Sequence, residues 1–220
     1  GSHGPYGRFT ETTPVDPSSP YSASKAGADL LIQSAIRTHS VRALILRSSN
    51  AYGPYQFPEK LIPLMIMNAL EGKAPPVYGD GLHVRDWIHV EDLVRAVSTV
   101  LEDGRPGEIY NVGGDNERTN LEIVREILNL TGADESLVRF VQDRPGHDRR
   151  YAMDHTRLSS NLGWQPRRDF KQGLTETVEW YASNGSWLES VRSGEYRSFF
   201  DRQYSNRLGR GLGSQSEDHQ

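Results

Sequence analysis

Short apolar runs and segments of helical period take turns along this chain, each closed by glycine or proline, and that order leads to an α/β architecture. Arg42 to Ser49 reads as a buried strand, and Asn50 to Tyr55 as the turn-rich loop leaving it. Lys60 to Leu70 is apolar on most sides and stops at Gly72 and Pro75-Pro76, as a helix does. Pro76-Val77-Tyr78 is extended, His83 to Val90 alternates as a strand, and Val90 to Leu101 is helical. Glu108 to Val112 is a strand closed by Gly113-Gly114, Leu121 to Leu130 is helical, Val138 to Val141 is extended, and Leu174 to Tyr181 forms a final helix. Upstream, Ser18-Ser19-Pro20 is a helix entrance. Ala28, Leu31, Ile32, Ala35 and Ile36 then recur at helical spacing to about Thr38, positions that suit either a core or an interface.

That first helix carries candidate chemistry. Tyr21 and Lys25 are four residues apart, so both side chains share one helical face. A phenol has a pKa of about 10, too high for a base near neutrality, and an adjacent ammonium lowers it by favouring the phenolate. A tyrosine tuned in this way takes a proton from a sugar hydroxyl while a nicotinamide accepts the hydride. Alone the pair is weak, because the same spacing arises by accident in ordinary helices.

Other chemistries are disfavoured. The chain has no cysteine, which removes disulfides and thiolate metal sites and fits a reducing, cytoplasmic setting. A net charge of −4 with both signs interspersed gives no basic stripe for nucleic acid. No apolar run reaches the roughly 20 residues that span a bilayer. His83, His89, His147 and His155 show neither His-x-His nor H-E-x-x-H spacing, so no metal site is expected.

Five strings then occur in order: Tyr21-Ser-Ala-Ser-Lys25, Asn50-Ala-Tyr-Gly-Pro-Tyr-Gln-Phe-Pro-Glu-Lys60-Leu61-Ile-Pro63, Val84-Arg85-Asp86-Trp87, Tyr110-Asn-Val-Gly-Gly114, and Asp143-Arg-Pro-Gly-His147-Asp-Arg-Arg-Tyr151. Together they resemble the dTDP-glucose 4,6-dehydratases of the extended short-chain dehydrogenase/reductase family, over about Tyr6 to Tyr204. The Y-x-x-x-K pair is common to the whole superfamily, whereas P-E-K-L-I-P and R-P-G-H-D-R-R-Y are far more selective. The resemblance implies a partial Rossmann-like NAD-binding fold with a smaller C-terminal α/β nucleotide-sugar domain. Residues 4–55 would be the remainder of the Rossmann-like domain. Residues 56–208 would be mainly substrate domain, with some segments returning to the Rossmann sheet. Residues 209–220, polar and Gly-rich, are expected to form a disordered tail, and Gly1-Ser2-His3 reads as the remnant of an expression tag.

By the same resemblance, NAD oxidises C4 of dTDP-glucose transiently, water leaves across C5 and C6, and the hydride returns to C6. Tyr21 would be the base and Lys25 its tuner and ribose ligand, with the backbone of Ala51 beside the cofactor. Asn50, Lys60, Leu61, Arg85, Asn120 and the turn Asp143, Arg144, Pro145, Gly146 and His147 would hold the substrate, with Arg85 as a diphosphate clamp. Pro76, Val77 and Tyr78 would pack on the thymine base. A homodimer through the Tyr21 helix is implied.

The chain departs from the family in two respects. It has no G-x-G-x-x-G, and Gly1 to Gly4 occupy the place of the Thr-Asp-Glu string whose carboxylates serve the dehydration, ahead of Pro5-Tyr6-Gly7. The chain therefore reads as the C-terminal portion of such an enzyme, expected to bind NAD weakly by itself. A nucleotide-sugar binding module without catalysis, and a related epimerase or decarboxylase, are the alternative readings.

Overall fold

The computed structural model describes residues 7–191, so the tag-like start and the polar tail lie outside the described residues. The elements run α1 (Pro20–His39), β1 (Ile45–Ser48), β2 (Asn50–Tyr52), α2 (Leu61–Leu70), β3 (Pro76–Tyr78), β4 (Val84–His89), α3 (Val90–Asp103) and β5 (Ile109–Val112). They continue with β6 (Glu117–Thr119), α4 (Asn120–Thr131), β7 (Arg139–Val141), β8 (Arg150–Tyr151), α5 (Thr156–Leu162), α6 (Phe170–Ser183) and α7 (Gly185–Val191). Two expectations need correction. Asn50 to Tyr52 is a strand rather than loop, because its backbone pairs in parallel with β4 at Trp87, Ile88 and His89. The helix over Leu174 to Tyr181 is not the last, since α7 follows it. No described helix is long and apolar enough to cross a membrane.

The chain divides into two compact units, each made of three stretches. Of the described residues, unit 1 contains 7–53, 83–118 and 146–170. Here β1 pairs in parallel with β5, Ile45 opposite Ile109 and Ser48 opposite Val112. Ile88, Val100, Tyr110, Val112, Leu158 and Trp164 form its apolar centre. The turn Gly113-Gly114 lets β5 leave across β4, for a Cβ on Gly114 would stand 1.9 Å from the Trp87 carbonyl oxygen.

Buried Asp92, in the first turn of α3, accepts from the Arg95 guanidinium at 2.5 Å and from the Arg167 and Arg168 N–H groups at 2.9 Å each. It thereby anchors the approach to α6.

Of the described residues, unit 2 contains 54–82, 119–145 and 171–191. The helices α2 and α4 pack together and bury Ile62, Ile66, Ile123 and Ile127. Thr119 and Glu122 close α4 with a reciprocal capping box. The strand β3 pairs in parallel with β7, and Gly81, at φ 73°, lets the following turn meet Leu121, whose N–H donates to the Gly81 carbonyl at 2.9 Å.

Candidate functional site

The Tyr21 helix is unusual: all 20 residues of α1 escape full burial. Its position is set by its ends and by ion pairing. Ser19 caps it, its hydroxyl accepting from the Ser22 N–H at 3.1 Å, and Pro20 begins the first turn. Arg47 of β1 holds the middle, its Nε donating to Asp29 Oδ2 at 2.7 Å. Tyr21, 74% exposed, and exposed Lys25 share this helix, open to a ligand. Ala35 and Ile36 are half-buried, whereas Leu31 and Ile32 are exposed, so the last two belong to no core.

Asn50 and Ala51 open β2, immediately after buried Ser49. Arg85 lies on β4 opposite Tyr151 of β8, and its Nη1 donates to the Val84 carbonyl at 2.7 Å. His147 stacks on buried His83 with ring centroids 3.9 Å apart. All of these residues, with Gly146, belong to unit 1.

Unit 2 carries the remaining candidates. Lys60, exposed, stands at the N-cap of α2 with its ammonium 2.6 Å from Glu59, and Leu61 is half-buried behind it. Pro76, Val77 and Tyr78 are buried in β3. Only 8% of Tyr78 is exposed, so its ring forms part of a wall, and the Arg144 guanidinium lies 5.0 Å from its centroid. Gly79, at φ 57°, brings Asp143 close behind the same turn, with a Cβ there standing 3.2 Å from its carboxylate. Asn120 is buried at the start of α4, and Pro145 is exposed at the end of the unit's second stretch. Tyr78, Asp143 and Arg144 are thus brought together, whereas Lys60 is placed separately on α2.

A second polar cluster in unit 1 escaped the sequence reading, although its central residue lies in the Val84-Arg85-Asp86-Trp87 string. Asp86 is 1% exposed and accepts from the Gly114 and Asn116 N–H groups, each at 3.0 Å. Burial raises its pKa against these two hydrogen bonds. Asp115, next along, accepts from Arg8 at 2.5 Å and pairs with His155 at 2.8 Å. Burial alone would raise its pKa, but the bonds and charges of His155 and Arg8 outweigh that and hold it below the ordinary value. At Asp92 burial is likewise outweighed by Arg95 and the two backbone N–H groups, and the pKa is lowered.

A carboxylate lowered on folding contributes stability that is complete above its unfolded pKa of about 3.9 and is lost as pH falls through the folded value. Asp86 works the other way: its contribution is complete below about 3.9 and is lost as pH rises through its folded pKa. Asp134 and Asp154 are also held below the ordinary value, by their bonds to Ser136 and Thr156, so lowered aspartates outnumber Asp86 and Tm is expected to fall as the pH drops below about 4. Asp115→Asn should lose less Tm than the parent between about pH 5 and pH 3. Identical slopes would show that the Asp115 pairs contribute nothing.

Comparison with known proteins follows the same pattern. The family model described as GDP-mannose 4,6 dehydratase matches residues 1–177. A dTDP-glucose 4,6-dehydratase of Shigella flexneri is 50% identical over 208 residues, covering 90% of this chain and 57% of the relative. The chain therefore spans little more than half the length of that relative. The crystal structure of dTDP-glucose 4,6-dehydratase from Bacillus anthracis in complex with NAD superposes with a TM-score of 0.83 at 51% identity, over 87% of this chain and 61% of that one. A UDP-glucuronic acid 4-epimerase from Bacillus cereus matches with a TM-score of 0.77 at 26% identity, over 81% of this chain and 57% of that one.

Proposed function

This chain belongs to the family described as GDP-mannose 4,6 dehydratase, and from that premise we propose that it carries the catalytic tyrosine and the nucleotide-sugar contacts of an NAD-dependent dTDP-glucose 4,6-dehydratase. The observation that carries the reading is the Tyr21–Lys25 pair, exposed at the start of a helix whose entrance is capped and whose middle is pinned by Arg47. In this reading unit 1 is the Rossmann-like part and unit 2 the nucleotide-sugar part.

Tyr21 and Lys25 fit the nicotinamide-ribose end of NAD, since both reach out from the same helix into open space, and Ala51 offers backbone beside Asn50. NAD, when bound, supplies the acceptor for the C4 hydrogen and returns it to C6. Tyr21 Oη, as the phenolate with the Lys25 ammonium beside it to balance the charge, takes the proton of the C4 hydroxyl and becomes the neutral phenol. Asn50 orients the sugar. In unit 1 Arg85 offers a phosphate a planar fork, and in unit 2 Lys60 offers one a point charge. Within unit 2 the β3 wall, Asn120 and the stretch Asp143 to Pro145 offer contacts to the base. Self-association through α1 fits its exposed Leu30 and Leu31, and a reducing, cytoplasmic setting fits the absence of cysteine.

Thermal unfolding with dTDP tests the assignment of the nucleotide contacts. A ligand at a hundred times its Kd stabilises by about 2.7 kcal/mol, equivalent to a rise of roughly 5–10 °C in Tm for a chain of this size. Arg85→Ala should cut that rise by at least half. An unchanged melting curve at millimolar dTDP would count against the reading.

A further inference from the structure

We propose that Arg47 is a positioning residue for the proton transfer assigned to Tyr21: by holding the Asp29 carboxylate against the strand side of α1, it leaves the Lys25 ammonium free for the phenolate and the ribose. The proposal rests on the functional reading above, and every residue in it lies in unit 1. It begins with a conflict in the sequence. Lys25 and Asp29 are four residues apart on α1, just as Tyr21 and Lys25 are. Opposite charges at that spacing on a helix attract. An ammonium paired with the carboxylate of its own helix is masked, and no longer balances a phenolate one turn before it.

The structure settles that conflict in favour of the strand. Arg47 stands in β1, in register with Asn111 of β5, so its backbone is fixed by the parallel ladder. Its Nε donates to Asp29 Oδ2 at 2.7 Å, with the two side chains only 20% and 22% exposed. Its Nη1 donates to an uncharged acceptor, the Glu11 carbonyl oxygen, at 3.5 Å. Among the described residues Asp29 and Arg47 have no other ion-pair partner, and Lys25 has none at all. Asp29 belongs to the half-buried row Ser22, Ala26, Asp29, Gln33 and Ile36, whereas Lys25 is exposed. Salt screens a covered pair less than an exposed one, and a guanidinium loses less freedom per hydrogen bond than a lysine does. Arg47 therefore outcompetes Lys25 for Asp29. An ion pair that merely held α1 down would depend on both partners alike. Here the partners differ: loss of Arg47 releases a carboxylate onto Lys25, whereas loss of the Asp29 charge leaves Lys25 free.

Acetylation of the full chain by an N-hydroxysuccinimide ester, read lysine by lysine in a mass spectrometer, tests this without any need for turnover. Exposed Lys171, which has no ion pair among the described residues, is the internal reference. Only the uncharged amine attacks the ester, and a paired carboxylate keeps the amine charged. Arg47→Ala should slow Lys25 relative to Lys171 by about twofold, the strength of a pair at this helical spacing. Asp29→Asn should leave the ratio unchanged, and Arg47→Ala combined with Asp29→Asn should restore it. Arg47→Lys, which keeps a cation on the strand, should stay near the parent. Arg47→Gln, neutral and of similar reach, takes the place of Arg47→Ala should that variant fail to fold. Equal slowing in Asp29→Asn and Arg47→Ala, no slowing in Arg47→Ala, or slowing that persists in the double variant would each overturn the proposal. In a preparation that turns over dTDP-glucose, kcat should fall about three- to tenfold in Arg47→Ala, the effect of an unmasked unit charge one helical turn away in a largely aqueous setting, and recover in the double variant. Labelling that follows the expected pattern while kcat stays unmoved would overturn the role given to Lys25 in the functional reading, with the pairing intact.

Discussion

Gly114→Ala is expected to prevent folding or to lower Tm by at least about 8–16 °C, the shift that corresponds to 4 kcal/mol in a chain of this size. The reason is that nothing in the way can swing aside. The added Cβ would lie 1.9 Å from the Trp87 carbonyl oxygen, 2.5 Å from its carbonyl carbon and 2.9 Å from Ile88 Cα, all backbone atoms of the paired strand β4. Moving them would break the β2–β4 register and withdraw the Gly114 N–H from Asp86. Ordinary overpacking costs about 1–3 kcal/mol because side chains readjust; here the strand itself would have to yield. Gly132→Ala supplies the contrast. Gly132 ends α4 at φ 68°, and a Cβ there would meet no neighbouring side chain or strand within 4 Å, so only the left-handed backbone opposes a methyl group, at about 1–2 kcal/mol. Thermal melts of the two variants separate these costs, and near-equal Tm values would refute the close approach.

Tyr21→Phe should lower kcat for dTDP-glucose dehydration by about 10²–10⁴, the usual contribution of a positioned acid or base. The substitution removes only the hydroxyl of a side chain that is 74% exposed and makes no core contact, so Tm should not change. The assay belongs in a preparation that turns over the sugar nucleotide, with dTDP binding measured alongside. A fall in kcat with unchanged dTDP affinity assigns the proton transfer to Tyr21. If Phe at this position retained more than about a tenth of the activity, Tyr21 would not be the base.

Much of the architecture was legible because burial imposes period. The segment Leu61–Leu70 is buried almost throughout, and its apolar run marked a helix with clear ends. At Asn50 to Tyr52 the sequence misled. Asn, Gly and Pro nearby signal a turn, but pairing with β4 decided the backbone, and such pairing depends on residues more than thirty positions away. The candidate residues could be named from strings, whereas their surroundings could not. Nothing in Pro76-Val77-Tyr78 says that the tyrosine ring would be walled in with Arg144 beside it, since that follows from the parallel pairing of β3 with β7. Asp86 stood in plain view beside Arg85, yet its two backbone donors come from a turn closed by glycines far along the chain.

The three-stretch make-up of each unit has a consequence for how this chain is cut and assembled. The polypeptide passes from one unit to the other after residues 53, 82, 118, 145 and 170. No single cleavage separates the two units, and an expression boundary drawn after residue 82, 118 or 145 divides both of them. During synthesis, β1 must wait for β5 to emerge before it has its partner, and β3 must wait for β7. Both pairings close long loops, which favours slow, late-cooperating folding and a lasting need for protection from aggregation while the ribosome is still at work.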